Sequence, residues 1–410
     1  MSWREIQLGE GLHVKHGFAF KGEHFASSGE YLVLTPGNFL EAGGFRVREG
    51  KERYYHADFP PEYLLSEGDL IVAMTEQGEG LLGSAASIPA QGKFLHNQRL
   101  GLVQVTDPDL LDRRFLYWVF NTANVRAQIR ATATGAKVKH TAPERIKKVR
   151  ILVPDVPFQK AIAFILDAYD DLIVTNQRRI VLLEDAARRL YRERFVHLRF
   201  PGRDGVKVID EVPHGWHLLP LTDVADFING FAFKPEHQQD VGLPIVKIPE
   251  LRDGVSNKTP LNAGAIVPSR NHIDTGDVLF SWSGTLLVNE WGEGPALLNQ
   301  HLFKVAARDQ VHRRLLRFAI EAAIPLLLGQ TVGATMQHIR RSALDAHRIL
   351  VPDSATSAAF AACADPMMDL VLNLRQQNRQ LSSTRDALLP KLMSGKLDIS
   401  TIRLPDEATT

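Results

Sequence analysis

The chain carries one sequence pattern twice, and this internal repeat restricts its possible folds more than any other feature. Four segments recur in the same order: Gly17–Lys21 as Gly230–Lys234, Asp69–Thr75 as Asp277–Ser283, Asn97–Leu100 as Asn299–Leu302, and Arg150–Asp155 as Arg348–Asp353. The first and last pairs are identical letter for letter. The interval between matching first positions falls from 213 residues (17 to 230) to 198 (150 to 348), as loop deletions in the second copy would produce. The repeat predicts two copies of one module of about 200 residues.

Both copies show the same order of predicted elements. Each begins with a section rich in Gly, Pro and short apolar runs, in which Leu70–Met74 and Val278–Phe280 follow a Gly-Asp turn and are predicted strands. Apolar residues at helical spacing follow in Arg113–Arg130 and Arg313–Leu328. Each copy then ends in a long helix after a Pro-Asp pair. These two helices are predicted at Val156–Phe195 and Ala358–Leu392.

The two long helices carry apolar residues at alternating steps of three and four, the spacing of a coiled-coil seam. Each seam has one central asparagine, a residue that commonly fixes the register of paired helices. The predicted seam consists of Leu172, Asn176, Ile180, Leu183, Leu374, Asn378, Leu381 and Leu388. The alternative is that each helix packs only on its own globular part. We favour pairing because the spacing runs longer than an ordinary amphipathic helix requires, and helices of about 35 residues would form a spacer roughly 50 Å long.

The sequence contains none of the common catalytic motifs. We find no nucleoside-triphosphate loop, no dinucleotide fingerprint, no His-Glu-x-x-His, no Gly-x-Ser-x-Gly and no Asn- or Asp-Pro-Pro-aromatic segment of an amino-methyltransferase. The single cysteine, Cys363, excludes a disulfide framework and a cysteine-based zinc cluster. We therefore predict a chain without catalytic residues, metal or cofactor. The sequence shows no signal peptide and no run of about twenty apolar residues, so we expect a cytoplasmic protein without a membrane partner.

The positive signal is local charge. The whole chain has 48 cationic and 47 anionic residues, so any basic surface has to be local. Between Arg126 and Arg150 there are eight cations and one anion, a local balance of +7, around the flexible stretch Thr132–His140. The second copy keeps the Gly-Ala pair of this stretch at Gly333 but loses its two lysines. A solvated basic face is the alternative, and the matching position in both copies favours contact with the DNA backbone.

Further repeated positions are candidates for DNA contact. Hydroxyl and amide groups follow a strand at Thr75 and Ser281, and the Asn-Gln pairs carry amides that can pair bidentately with adenine. The same amides could instead cap turns, and the sequence does not decide between these two roles. The complete set of predicted DNA contacts is Lys21, Thr75, Gln77, Asn97, Gln98, Arg99, Lys137, Lys139, His140, Lys234, Ser281, Ser283, Asn299, Gln300, His301, Thr335, Gln337, His338 and Arg340.

Over nearly its whole length, the chain resembles the specificity subunit of a type I restriction–modification system. The resemblance rests on the ordered set of motifs, found twice. They are the Gly-Phe-Ala-Phe-Lys openings, the loops after Thr75 and Ser281, the Asn-Gln-x-Leu pairs, the Gly-Ala segments at Gly135 and Gly333, the Ile-Leu-Val-Pro helix entries, and the helix endings Leu183–Phe195 and Leu388–Leu397.

The resemblance implies an α+β fold with a pseudo-twofold internal repeat. Two similar mixed α/β target recognition domains would be separated by two long antiparallel coiled-coil helices. The implied boundaries are residues 1–155 for the first recognition domain, 156–200 for the central conserved helix, 201–353 for the second recognition domain, 354–400 for the C-terminal conserved helix and 401–410 for a tail. The second copy is less basic at Thr335–Arg341 than the first, so its grip on the backbone is expected to use other residues.

The resemblance also implies partners. Each recognition domain would read one half of a split sequence in double-stranded DNA. Methylation subunits would dock on the chain and bring S-adenosylmethionine, while restriction subunits would bring ATP and Mg. Two rivals stay open at this stage: a methyltransferase or nuclease polypeptide with its own active site, and an assembly scaffold that binds protein only.

Overall fold

The computed structural model describes residues 3–48, 50–76, 80–90, 92–309, 311–329, 338–397 and 399. It divides into two compact units. The first unit comprises Met1–Asp171 and Ser382–Thr410, and the second comprises Leu172–Leu381. Each unit contains one copy of the repeat and a part of both long helices. Both units are mixed α/β, which confirms the predicted fold class.

The first unit is built on a four-stranded antiparallel sheet in the order Leu12–His16, Leu100–Val105, Leu70–Ala73, Ala85–Ser87. Its other strands are Arg4–Gln7, Phe25–Ala26, Tyr31–Val33, Tyr54–Tyr55, Thr75–Glu76, Lys93–Leu95, Lys139–His140 and Arg150–Val153. Its α-helices are Arg113–Phe120, Ala123–Ala131 and Pro143–Lys147, and its 3-10 helices are Leu8–Glu10, Gly22–His24, Pro36–Asn38 and Pro61–Tyr63.

The second unit repeats this sheet in the order Ala225–Asn229, Leu302–Ala307, Val278–Ser281, Val288–Glu290. Its other strands are Val208–Ile209, Val212–Pro213, His217–Pro220, Leu243–Val246, Leu261–Asn262, His272–Ile273, Ala296–Leu298 and Arg348–Val351. Its α-helices are Leu221–Val224, Ile248–Asp253, Arg313–Leu328 and Arg341–Ala346, its 3-10 helices are Arg203–Gly205, Pro235–His237 and Ser269–Asn271, and a π-turn covers Arg192–Val196. The strand order shows that the sequence repeat is a repeat of the fold.

The first long helix covers Val156–Tyr191 and the second covers Ser354–Met393. The identical Ile-Leu-Val-Pro segments form the strand before each helix. In the first unit Arg150–Val153 pairs with Arg4–Gln7, and in the second unit Arg348–Val351 pairs with His217–Pro220. Alternate residues of each strand, such as Ile151 and Val153, are buried in the core. The repeated Ile-Leu-Val-Pro segment therefore determines the residue at which each long helix starts.

Within each unit the long helices run antiparallel to one another. In the first unit Asp170 forms an ion pair with Arg385, and Ile162 shares a core with Leu392. In the second unit the two central asparagines meet, with Asn176 Nδ2 donating to Asn378 Oδ1 at 3.0 Å and Asn378 Nδ2 donating to the carbonyl of Ile173 at 3.2 Å. Such mutually satisfied amides penalise any shift of register.

One predicted seam position is wrong. Leu172 is 46% exposed, and the neighbouring Ile173 is the buried residue at this turn. After Tyr169 the buried face advances by four residues, whereas the prediction advanced by three. Both residues are apolar, so the letters alone did not select between them. The other predicted seam residues are buried or half-buried: Asn176, Ile180, Leu183, Leu374, Asn378, Leu381 and Leu388.

Ion pairs join a helix of each globular part to a long helix. In the first unit Asp167 accepts from Arg114 Nε at 2.8 Å and from Trp118 Nε1 at 2.7 Å. In the second unit the guanidinium of Arg314, with its side chain 2% exposed, contacts Glu290 at 3.0 Å and Asp369 at 2.6 Å. Burial of the Arg314–Glu290 pair strengthens the contact and makes either partner costly to remove.

Gly17 and Gly230 occupy equivalent crossings of two backbone segments. A Cβ on Gly17 would lie 2.1 Å from the carbonyl oxygen of Asn97, and one on Gly230 would lie 2.1 Å from that of Asn299. Neither backbone can move without breaking the parallel bridges between residues 18 and 97 and between residues 231 and 299. The Gly-Phe-Ala-Phe and Asn-Gln motifs are therefore one structural feature.

We expect Gly230→Ala to lower the free energy of unfolding of the second unit by about 1–3 kcal/mol, the usual cost of overpacking. Urea unfolding followed by tryptophan fluorescence measures this change. Gly205→Ala is the matched control, because a Cβ at Gly205 meets nothing within 4 Å. Equal stabilities of the two variants would contradict the crossing as the reason for the motif.

Candidate nucleic-acid interface

A basic cavity of about 860 Å³ opens in the first unit. Three of the predicted DNA contacts, Thr75, Arg99 and His140, line it together. A smaller neighbouring cavity of about 330 Å³ is lined by these residues and by Gln98. The structure thus brings together side chains that are up to 65 residues apart in the chain (75 to 140), as a shared binding surface requires.

Strand pairing explains why Thr75 and His140 meet. The short strand Thr75–Glu76 pairs antiparallel with Lys139–His140, and Thr75 lies opposite His140. In the second unit an isolated antiparallel bridge joins Ser283 to His338. These two positions match Thr75 and His140 in the sequence repeat. The same local pairing therefore occurs in both units. We call the surface around each pair, Thr75 with His140 and Ser283 with His338, the corner of that unit.

Lys137 and Lys139 lie on a hairpin that the sequence had indicated as a flexible stretch. The ends of the hairpin are joined by two backbone bonds, Thr134 N to His140 O at 2.9 Å and His140 N to Thr134 O at 2.8 Å. Gly135 has a φ of 100°, and a Cβ there would lie 2.0 Å from the carbonyl oxygen of Val138. Both lysines are exposed. The hairpin therefore presents them to solvent on a defined backbone.

The loop after Thr75 is held by a buried carboxylate. Oε2 of Glu76 accepts the backbone N–H groups of Gly80, Leu81 and Leu82 at 3.2, 3.0 and 2.8 Å, and its Oε1 lies 3.2 Å from Arg130 Nη2. Four donors on one carboxylate hold Gly80, Leu81 and Leu82 against the end of the strand Thr75–Glu76. The predicted contact Gln77 lies outside the described residues.

Several of the cations that make up the local +7 charge are bonded to other groups of the protein. Arg126 donates to the carbonyl of Gly80 at 3.2 Å and to Asn121 Oδ1 at 2.6 Å, and Arg145 donates to the carbonyl of Thr132 at 2.7 Å. Lys147 pairs with Glu144, and Arg150 with Glu5. Among the described residues of this segment, Lys137, Lys139 and Lys148 have no ion-pair partner within 4 Å. The basic surface is therefore narrower than the composition indicated.

The repeated asparagines cap turns. Oδ1 of Asn97 accepts the N–H of Arg99 at 3.0 Å, and Oδ1 of Asn299 accepts that of His301 at 3.3 Å. These bonds leave Gln98 and Arg99 exposed beside the cavity. Asn299 is 3% exposed, so we no longer expect its amide to reach a base. The capped turns instead position the two residues after each asparagine, Gln98 and Arg99 in the first unit and Gln300 and His301 in the second.

His96, before the first of these turns, belongs to the fold. Its ring is fully buried, Nε2 lies 2.9 Å from the carbonyl of Leu100, and burial lowers its pKa to about 4. A neutral buried imidazole offers no charge to a phosphate.

In the second unit the matching corner is aromatic. Ser283 Oγ lies 2.9 Å from His301 Nδ1, and both the His301 and His338 rings lie beside Trp282, with centroids 6.0 and 6.3 Å away. Trp282 was not among the predicted contacts. It directly follows the strand Val278–Ser281, as Met74 follows Leu70–Ala73 in the first unit. A tryptophan at a strand end beside a polar loop is the sequence signal that could have identified it.

Two predicted contacts of the second unit are inaccessible. Ser281 is fully buried, and its Oγ donates to the carbonyl of Thr285 and accepts the N–H of Leu287 at 2.8 Å. Ser283 is 2% exposed. The Ser281 hydroxyl is bonded to the loop and the Ser283 hydroxyl to His301, because a buried polar group needs a partner. We therefore withdraw Ser281 and Ser283 as direct contacts and keep them as residues that shape the corner.

The remaining predicted positions are spread over both units. Lys21 and Lys234 are exposed, and Lys234 lies 3.7 Å from Glu236. Gln300 is half-buried and Arg340 is exposed. Of these four, Gln300 lies at the corner of the second unit, where its carbonyl accepts the indole N–H of Trp282 at 3.0 Å. Thr335 and Gln337 lie outside the described residues.

Within the ranges that the structure describes, no group of three or more His, Cys, Asp or Glu side chains could hold a metal ion. One described helix, Ser354–Met393, is long and apolar enough by composition to cross a membrane. Its apolar residues Phe360, Ala364 and Met368 are fully buried in the core of the second unit, as in the core helix of a globular fold.

The comparisons with known proteins agree with these features. Residues 1–185 match the family model of the type I restriction modification DNA specificity domain. The chain is 24% identical over 347 residues to the MjaIX specificity subunit of a type I restriction enzyme from Methanocaldococcus jannaschii, covering 79% of this chain and 78% of that protein. It is 22% identical over 307 residues to the MjaVIII specificity subunit from the same organism, covering 70% and 71%.

A solved structure has the same fold. The S subunit of a type I restriction–modification system from M. genitalium aligns with a TM-score of 0.59 and 14% identity, over 95% of this chain and 96% of that one. The family model matches the first copy of the repeat, and the curated relatives and the fold extend the likeness into the second. The chain is similar to type I restriction–modification specificity subunits over 79% of its length, and its residues 1–185 match the DNA specificity domain of such systems.

Proposed function

We propose that this chain is the sequence-specific DNA-binding subunit of a type I restriction–modification complex and reads a bipartite target. The observation that carries the proposal is the repeated corner, with Thr75, Arg99 and His140 in the first unit and Ser283, His301 and His338 in the second. Two equivalent sites with different side chains suit two half-sites of different sequence. Residues 1–155 and 201–353 are the proposed extents of the two recognition domains.

The chain selects DNA and does no chemistry in this proposal. Phosphate contacts place each unit on the duplex, and accessible side chains read base edges, with Arg99 and His140 exposed in the first unit and His301 and His338 half-buried in the second. Methylation and restriction subunits dock on the chain and carry S-adenosylmethionine, ATP and Mg. The absence of catalytic motifs from the sequence supports this division. Binding of S-adenosylmethionine by the isolated chain would contradict it.

We expect Lys137→Ala combined with Lys139→Ala to weaken binding to all duplexes. Each lost phosphate contact lowers the slope of log K against log salt by about 0.9, so the double variant should lose a slope of about 2. Fluorescence anisotropy with a specific and a random duplex at several salt concentrations measures the change, using the chain alone and co-purified with its methylation subunits.

Lys137→Arg with Lys139→Arg is the control for this test, since it keeps both charges. A changed sequence preference at an unaltered salt slope would show that the hairpin reads bases instead. A native chain that binds no duplex, either alone or with methylation subunits, would favour a protein-only scaffold over the proposed function.

A further inference from the structure

Three cations outside the repeated motifs line the same cavity as the predicted contacts of the first unit. They are Arg48, Lys51 and Arg53. They are not predicted from the sequence, because they lie between Gly44 and Tyr54 in a segment that mixes basic and acidic residues and belongs to none of the repeated motifs. The fold nevertheless places them around the cavity that Thr75, Arg99 and His140 also line.

The backbone that carries these cations is fastened to a buried asparagine. Asn38 is 6% exposed, its Oδ1 accepts the N–H of Thr35 at 2.9 Å, and its Nδ2 donates to the carbonyl of Arg46 at 3.2 Å. Arg53 is tied to the neighbouring strand, where its carbonyl accepts the N–H of Val33 at 2.9 Å. The cations therefore extend from fixed points of the fold.

The side chains themselves are placed by packing. The guanidinium of Arg48 lies against Gly37, where a Cβ would come within 2.4 Å of Nη1. Arg53 lies 5.9 Å from the ring centroid of Phe25, and Lys51 is exposed at a turn closed by its N–H and the carbonyl of Arg48 at 2.9 Å. Among the residues that the structure describes, none of the three cations has a carboxylate within 4 Å.

The charge of the cavity wall is positive. With Arg99 it has four cations, and its carboxylates are Glu52 and Glu76. Glu76 is already engaged by three backbone N–H groups and Arg130. An open cavity with guanidinium and ammonium groups on its wall suits an anion with several oxygens, and guanidinium groups bind phosphate bidentately.

We propose that Arg48, Lys51 and Arg53 bind backbone phosphates of the DNA that the first unit reads, with Arg99 completing the cationic wall. This inference rests on the proposed function and deepens it by naming the phosphate-binding residues. All residues that line this cavity belong to the first unit, so the proposal concerns that unit alone.

The test is the triple variant Arg48→Ala, Lys51→Ala and Arg53→Ala in the full chain, co-purified with its methylation subunits. We expect affinity for specific and random duplexes to fall at least about tenfold, and the salt slope to decrease by about 2 to 3, since three phosphate contacts are lost. Arg48→Lys with Arg53→Lys keeps the charge and should keep the salt slope. An unchanged melting temperature of the triple variant shows that the fold is intact.

Glu52→Gln gives a prediction of opposite sign. Removing a carboxylate from the wall should tighten binding about two- to fivefold and should not change the preferred sequence.

Native-like affinity and salt slope in the triple variant, while the native complex binds DNA, would overturn the phosphate wall and leave the proposed function standing. Loss of a partner protein from the complex, with DNA affinity unchanged, would assign the wall to an acidic protein surface. A native complex that binds no duplex would instead overturn the proposed function itself.

Discussion

Arg314→Leu should destabilise the second unit by about 3–5 kcal/mol, the cost of leaving a buried charge without its partner. Arg314 is 2% exposed, and its Nε and Nη2 contact the carboxylate of Glu290, whose side chain is fully buried. The same guanidinium reaches Asp369 at 2.6 Å and the carbonyl of Asp365 at 2.8 Å on the second long helix. Without Arg314, the carboxylate of Glu290 stays buried without its partner. The contacts that join the strand Val288–Glu290, the helix Arg313–Leu328 and the second long helix are also lost.

Differential scanning calorimetry measures this effect as a fall of roughly 6–20 °C in the melting temperature of the second unit. Arg308→Leu is the matched control, because its pair with Asp226 is exposed and should contribute about 0.2–1 kcal/mol. Adding Glu290→Leu to Arg314→Leu should recover much of the loss, since two apolar residues replace the buried pair. A native-like melting temperature of Arg314→Leu would show that the buried pair is not a main support of this unit.

A heptad inserted into both long helices should lengthen the gap between the two half-sites and leave the half-sites unchanged. The division between the units suggests the insertion points, between Asp171 and Leu172 and between Leu381 and Ser382. Seven residues add about 10 Å to a helix and turn it by only about −20° from its former phase. At about 34 Å per turn of DNA, the proposed spacer should grow by about three base pairs.

Mapping of methylated adenines in cells that carry the inserted chain measures this gap. Substituting solvent-facing residues of the same helices without inserting any is the control, and it should leave the gap unchanged. An unchanged gap in the inserted chain would reject the helices as a ruler. Changed half-sites would show that the insertion disturbed the recognition units themselves.

The repeat made the architecture predictable, because two copies of one sequence module are expected to adopt the same fold. The helix entries and the contact between Asn176 and Asn378 follow from features that are local in sequence or repeated in it, whereas the sequence did not predict the strand order. One predicted helix differs. Arg113–Arg130 is split into Arg113–Phe120 and Ala123–Ala131, since Thr122 accepts the N–H of Val125 and caps a new helix.

The site was less predictable because charge in a sequence does not state where the charge goes. Arg126 and Arg145 contribute to the local +7, yet the fold turns them to carbonyl groups of loops. Arg48 and Arg53 lie in a segment of mixed charge in the sequence, yet they line the cavity. Arg314 finds Glu290 from 24 positions away in the chain, a contact that no periodic pattern encodes.

The most direct test of the account is a map of methylated adenines across the genome of the source organism, with and without this gene. We expect a set of adenines in one split motif to lose methylation in the deletion strain and to regain it on complementation. The Lys137→Ala, Lys139→Ala variant should restore it only weakly. Methylation that is identical in both strains would contradict the claim that this chain selects the DNA.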